Sequence, residues 1–139
     1  MSKSNHQYAA RVFAFASFVE FGTGIAVIIG PVLIVRLLLG EEVAGVGVAV
    51  ARCFGVALLS LGLACWPIGA PVRSDSAAFR AMLVYNALIA VFLVYLAASG
   101  VRGKLLWPAI AVHTAIGLSL LFARRGSHAS YPSPDGDEL

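Results

Sequence analysis

The stretch VAVARCFGVALLSL, residues 48–61, decides the fold, because it belongs to a long apolar run that is broken by one charge, Arg52. The run extends over residues 43–66, and a helix of about 20 apolar residues crosses the hydrocarbon core of a bilayer. A charged side chain at the centre of such a helix costs about 2.5–3.5 kcal/mol on insertion scales. The stretch therefore predicts a membrane span whose arginine has a partner.

The composition of the whole chain supports a membrane protein. Of its 139 residues, 60% are hydrophobic and 12% are charged, whereas soluble domains are about 25% charged. The net charge is +3, but the basic residues stand at the ends of apolar runs, so we expect no nucleic-acid partner. Cys53 and Cys65 form no CxxC motif, which argues against a disulfide-exchange enzyme.

Four apolar runs are long enough to span a bilayer, at residues 9–29, 43–66, 78–99 and 105–123. The first three end at glycine or proline, and Pro108 lies in the first turn of the fourth, where its missing N–H costs little. We therefore predict an all-α fold, an integral membrane four-helix bundle. It forms a single domain over residues 1–125, and residues 126–139 form a disordered tail because they are polar and rich in Ser and Pro.

The segment PVLIVRLLLGEE, residues 31–42, lies between the first and second spans. Its apolar part is too short to cross a bilayer, and Pro31 and Gly40 bracket it. We predict a short interfacial helix with Arg36 turned to the headgroups. An extension of the first helix is the alternative.

The distribution of basic residues predicts the orientation of the spans. Lysine and arginine are more frequent in cytoplasmic loops than in external ones. If the N-terminus is inside, the inner side carries Lys3, Arg11, Arg73, Arg80, Arg124 and Arg125, and the outer side carries Arg36, Arg102 and Lys104. Both termini are therefore expected in the cytoplasm.

Each span carries one strongly polar residue in its interior: Glu20, Arg52, Asn86 and His113 in chain order. With 1.5 Å per residue counted from the centre of each span, Glu20, Arg52 and His113 fall in one layer near the midplane, with Asn86 just beneath. Ionisable groups within membrane spans mark functional sites by default. The four residues are therefore candidates for one polar layer, and Tyr85, the neighbour of Asn86, is a fifth.

Small residues predict the direction in which the polar residues point. Residues three or four positions apart share a helix face, and small residues mark the faces where membrane helices approach closely. Such residues flank three of the four polar ones: Ala16 and Gly24 around Glu20, Ala49 and Gly55 around Arg52, Ala109 and Gly117 around His113. We therefore expect Arg52 to point into the bundle and to pair with Glu20. A separate row of Gly47, Ala51 and Gly55 indicates a second packed face on the same helix.

The polar layer predicts binding of a small amphiphile, quinone-like or lipid-like, in a membrane redox or lipid-related system. Asn86 and Tyr85 would orient its polar headgroup. Glu20 is a potential general acid or base, and His113 a potential proton shuttle. Whether the site is catalytic stays open, and no cofactor is assigned. The sequence indicates no metal site, because one interior His and one Glu supply too few ligands.

Other interpretations of the layer remain open. Buried ion pairs can serve only to fix helix register, and the chain would then be a non-catalytic accessory subunit of a larger membrane complex. Four helices are half of a typical carrier, so a small dimeric transporter is a further alternative. A haem with two axial histidines does not fit a single interior histidine. The expected partners are thus the lipid bilayer, a hydrophobic small molecule, and a membrane protein or second copy.

Three segments resemble small bacterial four-helix membrane proteins of the DoxX-like type. They are GTGIAVIIGP (22–31), LLLG (37–40) and ARCFGVALLSLGLACW (51–66), and the resemblance covers mainly residues 15–66. It implies a four-helix bundle in a bacterial-type plasma membrane, and an association with membrane oxidoreductase complexes, as in some members. It carries no catalytic residue over to this chain.

Overall fold

The computed structural model describes residues 3–66, 73 and 75–128, and over these residues the chain is helical, with no strand. Five helices follow one another along the described chain: α1 (Lys3–Ile29), α2 (Pro31–Leu39), α3 (Val46–Ala64), α4 (Ala77–Ala98) and α5 (Leu106–His128). The predicted fold class is confirmed.

Four of these helices are long and apolar enough to cross a membrane, which indicates a multi-pass membrane protein. The qualifying segments are Gln7–Ile29, Val46–Ala64, Ala77–Ala98 and Leu106–Arg125, within a few residues of the predicted spans. Helix α5 continues to His128, three residues into the segment predicted to be disordered. No proline interrupts the chain between Pro108 and Pro132, so the backbone can extend the helix. The rest of the predicted tail lies outside the described residues.

The predicted short helix between the first two spans is α2. Pro31 stands in its first turn, and Gly40 ends it in the left-handed conformation with φ 84°, which glycine adopts without steric cost. The Leu105 N–H donates to the Leu37 carbonyl over 2.8 Å. Arg36 and Glu42 form an exposed ion pair of 3.2 Å. Helix α2 is thus tied to the start of α5, and its location at a membrane interface stays a prediction.

Helix α1 organises the bundle. It packs extensively against α3 and also contacts α5, while α4 packs mainly against α5. Among the described residues, α3 makes almost no contact with α4 or α5. The order around the bundle is therefore α3, α1, α5, α4. Between α3 and α4 the chain is closed at one end, where the Cys65 thiol lies 3.5 Å from the Ala78 carbonyl oxygen, and the rest of that side is open.

The contact between α1 and α3 is close because glycines lie at it. A Cβ atom on Gly24 would lie 2.8 Å from the Gly55 carbonyl oxygen, and one on Gly62 would lie 2.6 Å from the Phe21 nitrogen. These distances are shorter than any van der Waals contact, so the two backbones touch only without side chains. Glycines therefore mark this close approach, as the sequence predicted for Gly24 and Gly55.

Two apolar clusters lie on either side of the bundle's polar groups. In the first, Phe13 stacks on Phe79 with 5.8 Å between ring centroids, together with Met82, Ile116 and Leu120. The second consists of Leu93, Ala97, Leu106 and Ile110, near the other end of α4. The polar groups between them are therefore shielded along the bundle axis by apolar side chains.

Candidate ligand-binding site

The structure brings three of the predicted residues, Glu20, Asn86 and His113, into direct proximity. Glu20 on α1 and Asn86 on α4 are fully buried, and the His113 side chain on α5 is 13% exposed. The His113 Nδ1 atom lies 2.9 Å from the Asn86 Oδ1 atom and 3.7 Å from a Glu20 carboxyl oxygen. Asn86 is thus part of the layer and not a step beneath it.

The hydrogen bonds of Asn86 define the tautomer of His113. The Asn86 Nδ2 group donates to the Met82 carbonyl over 2.9 Å, as a polar residue within a helix commonly does. The Oδ1 atom of an amide only accepts, so the His113 Nδ1–H must donate to it. In the neutral ring Nε2 then carries no proton and can accept one.

The carboxyl group of Glu20 is the unsatisfied member of the cluster. Neither of its oxygens has a hydrogen-bond partner among the described residues, since the 3.7 Å to His113 is too long for one. The Tyr85 hydroxyl approaches the carboxyl as a hydrogen-bond donor but forms no close hydrogen bond with it, and the Tyr85 ring meets the His113 ring edge-on at 5.9 Å. Buried polar groups normally have a partner, so an unpaired carboxyl needs an explanation.

The predicted position of Arg52 in the interior is wrong. Its side chain is exposed on the surface of α3, and no described carboxylate pairs with it. The register of the α1–α3 contact gives the reason: Ser17 Oγ lies 2.8 Å from the Cys65 carbonyl oxygen, and Phe21 faces Gly62. Glu20 is therefore level with the Gly62 region, ten residues beyond Arg52, which is about 15 Å along the helix.

The rotation of α3 also excludes Arg52 from the interior. The buried residues of α3 are Gly55, Leu58 and Gly62, and at 100° per residue Arg52 lies roughly a quarter-turn from the centre of this face. Ala51 falls on it and is half-buried. The row of Gly47, Ala51 and Gly55 therefore predicted the packed face better than the small residues three positions either side of Arg52.

Because Arg52 is exposed, the polar layer lacks the positive charge that was predicted to pair with Glu20. Without Arg52, Glu20 is the one acidic side chain of the layer, and no described lysine or arginine forms an ion pair with it. Its described ionisable neighbours include His113, at 3.7 Å, and Tyr85. No three His, Cys, Asp or Glu side chains of the described chain come together as metal ligands.

An inner cavity of about 310 Å³ adjoins this cluster. All five helices line it, and it includes Phe54 and Leu58 of α3 and Ile89 of α4, on the two sides of the open gap. Most of the lining is apolar, and Tyr85 and His113 bring polar atoms to it. The volume is at the lower end of the range for small-molecule sites.

A separate outer groove of about 510 Å³ runs along the α4–α5 pair. Its lining is also apolar, apart from Asn86, His113 and Thr114. His113 lines both the inner cavity and the outer groove. The Asn86–His113 hydrogen bond therefore stands in the wall between the two.

Thr23 and Phe54 line the inner cavity and were not among the site candidates from the sequence. Thr23 follows Glu20 by three positions and so shares its helix face, a signal that was present in the sequence. Phe54 had no such signal, because aromatic residues are common on lipid-facing surfaces. Its place in the cavity follows from the register of α3.

No family model, no curated protein and no solved structure matches the chain.

Proposed function

We propose that the chain binds a small amphiphile inside its helical bundle. The polar headgroup contacts Tyr85 and His113, which line the inner cavity in front of Glu20, and the apolar part occupies the rest of the cavity. The observation that carries this proposal is the fully buried Glu20 carboxyl. Its oxygens make no close hydrogen bond within the described chain and are approached by the Tyr85 hydroxyl, and Tyr85 and His113 line the apolar cavity in front of it.

A ligand explains the unpaired carboxyl better than a structural role does. A carboxyl retained only to fix helix register should be hydrogen-bonded within the protein, because an unsatisfied buried polar group costs about 1–3 kcal/mol. Asn86 and His113 satisfy each other in this way, whereas Glu20 does not. A headgroup in the adjoining cavity supplies the missing partner.

The open side of the bundle supports entry from the bilayer. Beyond the contact of Cys65 with Ala78 at one end, helices α3 and α4 make few contacts, and residues of both line the inner cavity. An apolar ligand can therefore reach the cavity sideways, without crossing the aqueous phase. Quinone-like and lipid-like molecules both have the required combination of a compact polar head and an apolar body.

The accessory-subunit alternative loses one of its arguments. A small-residue row on α3 could have docked a partner, but Gly55 of that row is buried against Gly24 and Ile28 of α1. The row serves the bundle itself. A dimeric transporter stays a further alternative, for which the open α3–α4 side is the relevant surface.

The cellular setting belongs to the same proposal. The DoxX-like resemblance and the excess of basic residues on one side favour a bacterial-type plasma membrane with both termini in the cytoplasm. The resemblance also favours a membrane redox or lipid-related system. Protease accessibility of each terminus in sealed vesicles tests the orientation.

Native mass spectrometry of the protein released gently from the membranes of its host tests the binding proposal. We expect a discrete extra mass of roughly a few hundred daltons, the size of a ligand that fits such a cavity, on the 14.5 kDa chain. The Tyr85→Phe variant should lose most of it, because the hydroxyl at the cavity is removed.

Tyr95→Phe is the matched control, since Tyr95 lies on the same helix and its side chain is exposed. This variant should keep the bound mass. A chain that carries no small molecule contradicts the proposal, and a second polypeptide in stoichiometric amount supports the accessory-subunit alternative instead.

A further inference from the structure

The charges around Glu20 restrict the class of ligand further than the shape of the cavity does. The ionisable groups that face it are His113 from α5, Tyr85 from α4 and Cys65 from the end of α3. None of them is a fixed cation, and Arg52 is about 15 Å away along α3. An anionic headgroup would therefore find an acidic side chain and no positive counter-charge.

A cation, in contrast, satisfies the carboxylate. An ionised carboxylate without a partner is very costly in an apolar interior, and such a group neutralises by taking up a proton. Intramembrane carboxylates commonly act as counter-ions of cationic ligands or as proton carriers. Either a proton or a bound cation can therefore hold Glu20 in the interior.

The aromatic lining of the cavity fits the same ligand. Tyr85 and Phe54 line the inner cavity from opposite sides of the open gap. Aromatic rings attract alkylammonium groups through cation–π interactions, most strongly when the cation is desolvated. Apolar residues line the rest of the cavity and suit a hydrocarbon chain.

We propose that the inner cavity binds a lipophilic organic cation, an alkylated amine or quaternary ammonium, in exchange for the proton of Glu20. In the ligand-free protein the carboxyl is protonated. When the cation enters, the O–H bond of the carboxyl breaks, one proton leaves to the solution, and the carboxylate balances the charge of the cation from behind Tyr85 and His113, which line the cavity. No electron is transferred and no other bond changes.

His113 does not take up the released proton. Its Nδ1–H is committed to Asn86, and protonation of Nε2 would place a second positive charge beside the bound cation. The exchange therefore delivers the proton to the solution. This inference rests on the proposed function, because it names the ligand class of the same cavity.

Three probes with the same ten-carbon chain test the inference: decyltrimethylammonium, 1-decanol and decanoate. Each is titrated into the full-length protein in lipid nanodiscs, with empty nanodiscs as the blank. We expect decyltrimethylammonium to bind roughly tenfold more tightly than 1-decanol, a factor that corresponds to about 1.4 kcal/mol, and decanoate to bind most weakly.

Proton release is the direct readout of the exchange. A pH indicator in weakly buffered solution should report about one proton for each decyltrimethylammonium bound, since the probe itself has no proton to lose. The Glu20→Gln variant should release none and should lose the preference for the cation over 1-decanol. Glu20→Asp, which keeps the carboxyl, should retain the release, and retained binding of 1-decanol by Glu20→Gln shows that this variant folds.

Glu41→Gln is the matched control, because Glu41 is exposed in the α2–α3 connection, and it should behave as the unaltered protein does. Equal binding of 1-decanol and decyltrimethylammonium, or cation binding without proton release, overturns the inference and leaves the proposed function standing. Binding of none of the three probes overturns both.

Discussion

The two sides of helix α3 are built in opposite ways. Towards α1 it packs without space for a side chain at Gly55 and Gly62, and towards α4 it leaves the inner cavity. The first side sets the register of the bundle to within one residue. The second side leaves room that the polar cluster of α1, α4 and α5 adjoins. A single helix thus supplies both a rigid contact and one wall of a binding site.

The closest contact should be the most sensitive to added volume. A Cβ atom on Gly24 would lie 2.5–2.9 Å from backbone atoms of α3, which have no rotamer to move into. We expect Gly24→Ala to lower the free energy of unfolding by about 1–3 kcal/mol, the usual cost of overpacking. Thermal unfolding in mild detergent measures it.

Gly22 provides the control for Gly24, because a Cβ atom there meets nothing within 4 Å. The Gly22→Ala variant should be as stable as the unaltered protein. If both variants unfold at the same temperature, the close α1–α3 contact does not exist in solution.

The cavity side should accept added volume and lose its ligand. Ala26 lines the inner cavity, and Ala26→Leu fills part of it with apolar atoms. Binding of 1-decanol should weaken by about tenfold or more, equivalent to about 1.4 kcal/mol, while the unfolding temperature is unchanged or raised. Titration in nanodiscs and thermal unfolding measure the two effects separately.

The same substitution on an outward position of α3 serves as its control. Ala57 is exposed, so Ala57→Leu should leave binding intact. Unchanged 1-decanol binding in the Ala26→Leu variant would mean that the ligand occupies another place, such as the outer groove.

The Asn86–His113 hydrogen bond should contribute less to the free energy of unfolding than the close α1–α3 contact does. Interhelical hydrogen bonds in membrane proteins average about 0.6 kcal/mol, with a maximum near 1.7, so Asn86→Leu should destabilise within this range. A double variant, Asn86→Leu with His113→Phe, should recover part of the loss, because no donor is then left unpaired. A double-mutant cycle of unfolding free energies tests it, and strictly additive losses would argue against the hydrogen bond.

Replacement of Arg52 should change the free energy of unfolding least of all these substitutions. Because its side chain is exposed and has no described partner, Arg52→Leu should change the free energy of unfolding by no more than about 0.5 kcal/mol. An arginine that paired with Glu20 in the interior would cost about 3–5 kcal/mol when removed. Chemical denaturation of the Arg52→Leu variant distinguishes an exposed Arg52 side chain from one that pairs with Glu20 in the interior.

A second measurement sharpens the same comparison. Arg52→Leu and Glu20→Gln should have additive effects, within about 0.3–0.5 kcal/mol, because sites this far apart share no partner. A large coupling energy between the two changes would restore the ion pair that the structure excludes.

Much of the fold could be predicted because it depends on local composition. The four spans, the short helix that begins at Pro31 and ends at Gly40, and the glycines of close approach all follow from apolar length and residue size. Four of the five site candidates, Glu20, Tyr85, Asn86 and His113, lie close together.

The arginine could not be placed in the same way. The prediction took depth from the centre of each apolar run, which assumes that all helices are centred on one plane. The contact between Ser17 and Cys65 shows a stagger between α1 and α3 that no single run reveals. The rotation of α3 about its own axis was also unknown, and a rotation of one residue decides whether Ala51 or Arg52 faces the bundle.

The sequence by itself determined the number of helices, their lengths and the polar residue that each contributes, because these are properties of one segment in an apolar medium. The tertiary structure decided which polar residues meet. That choice depends on how two helices slide and rotate against each other, and here the backbone contacts at Gly24, Gly55 and Gly62 set both. The result is an acid at a cavity without the arginine that its sequence offered.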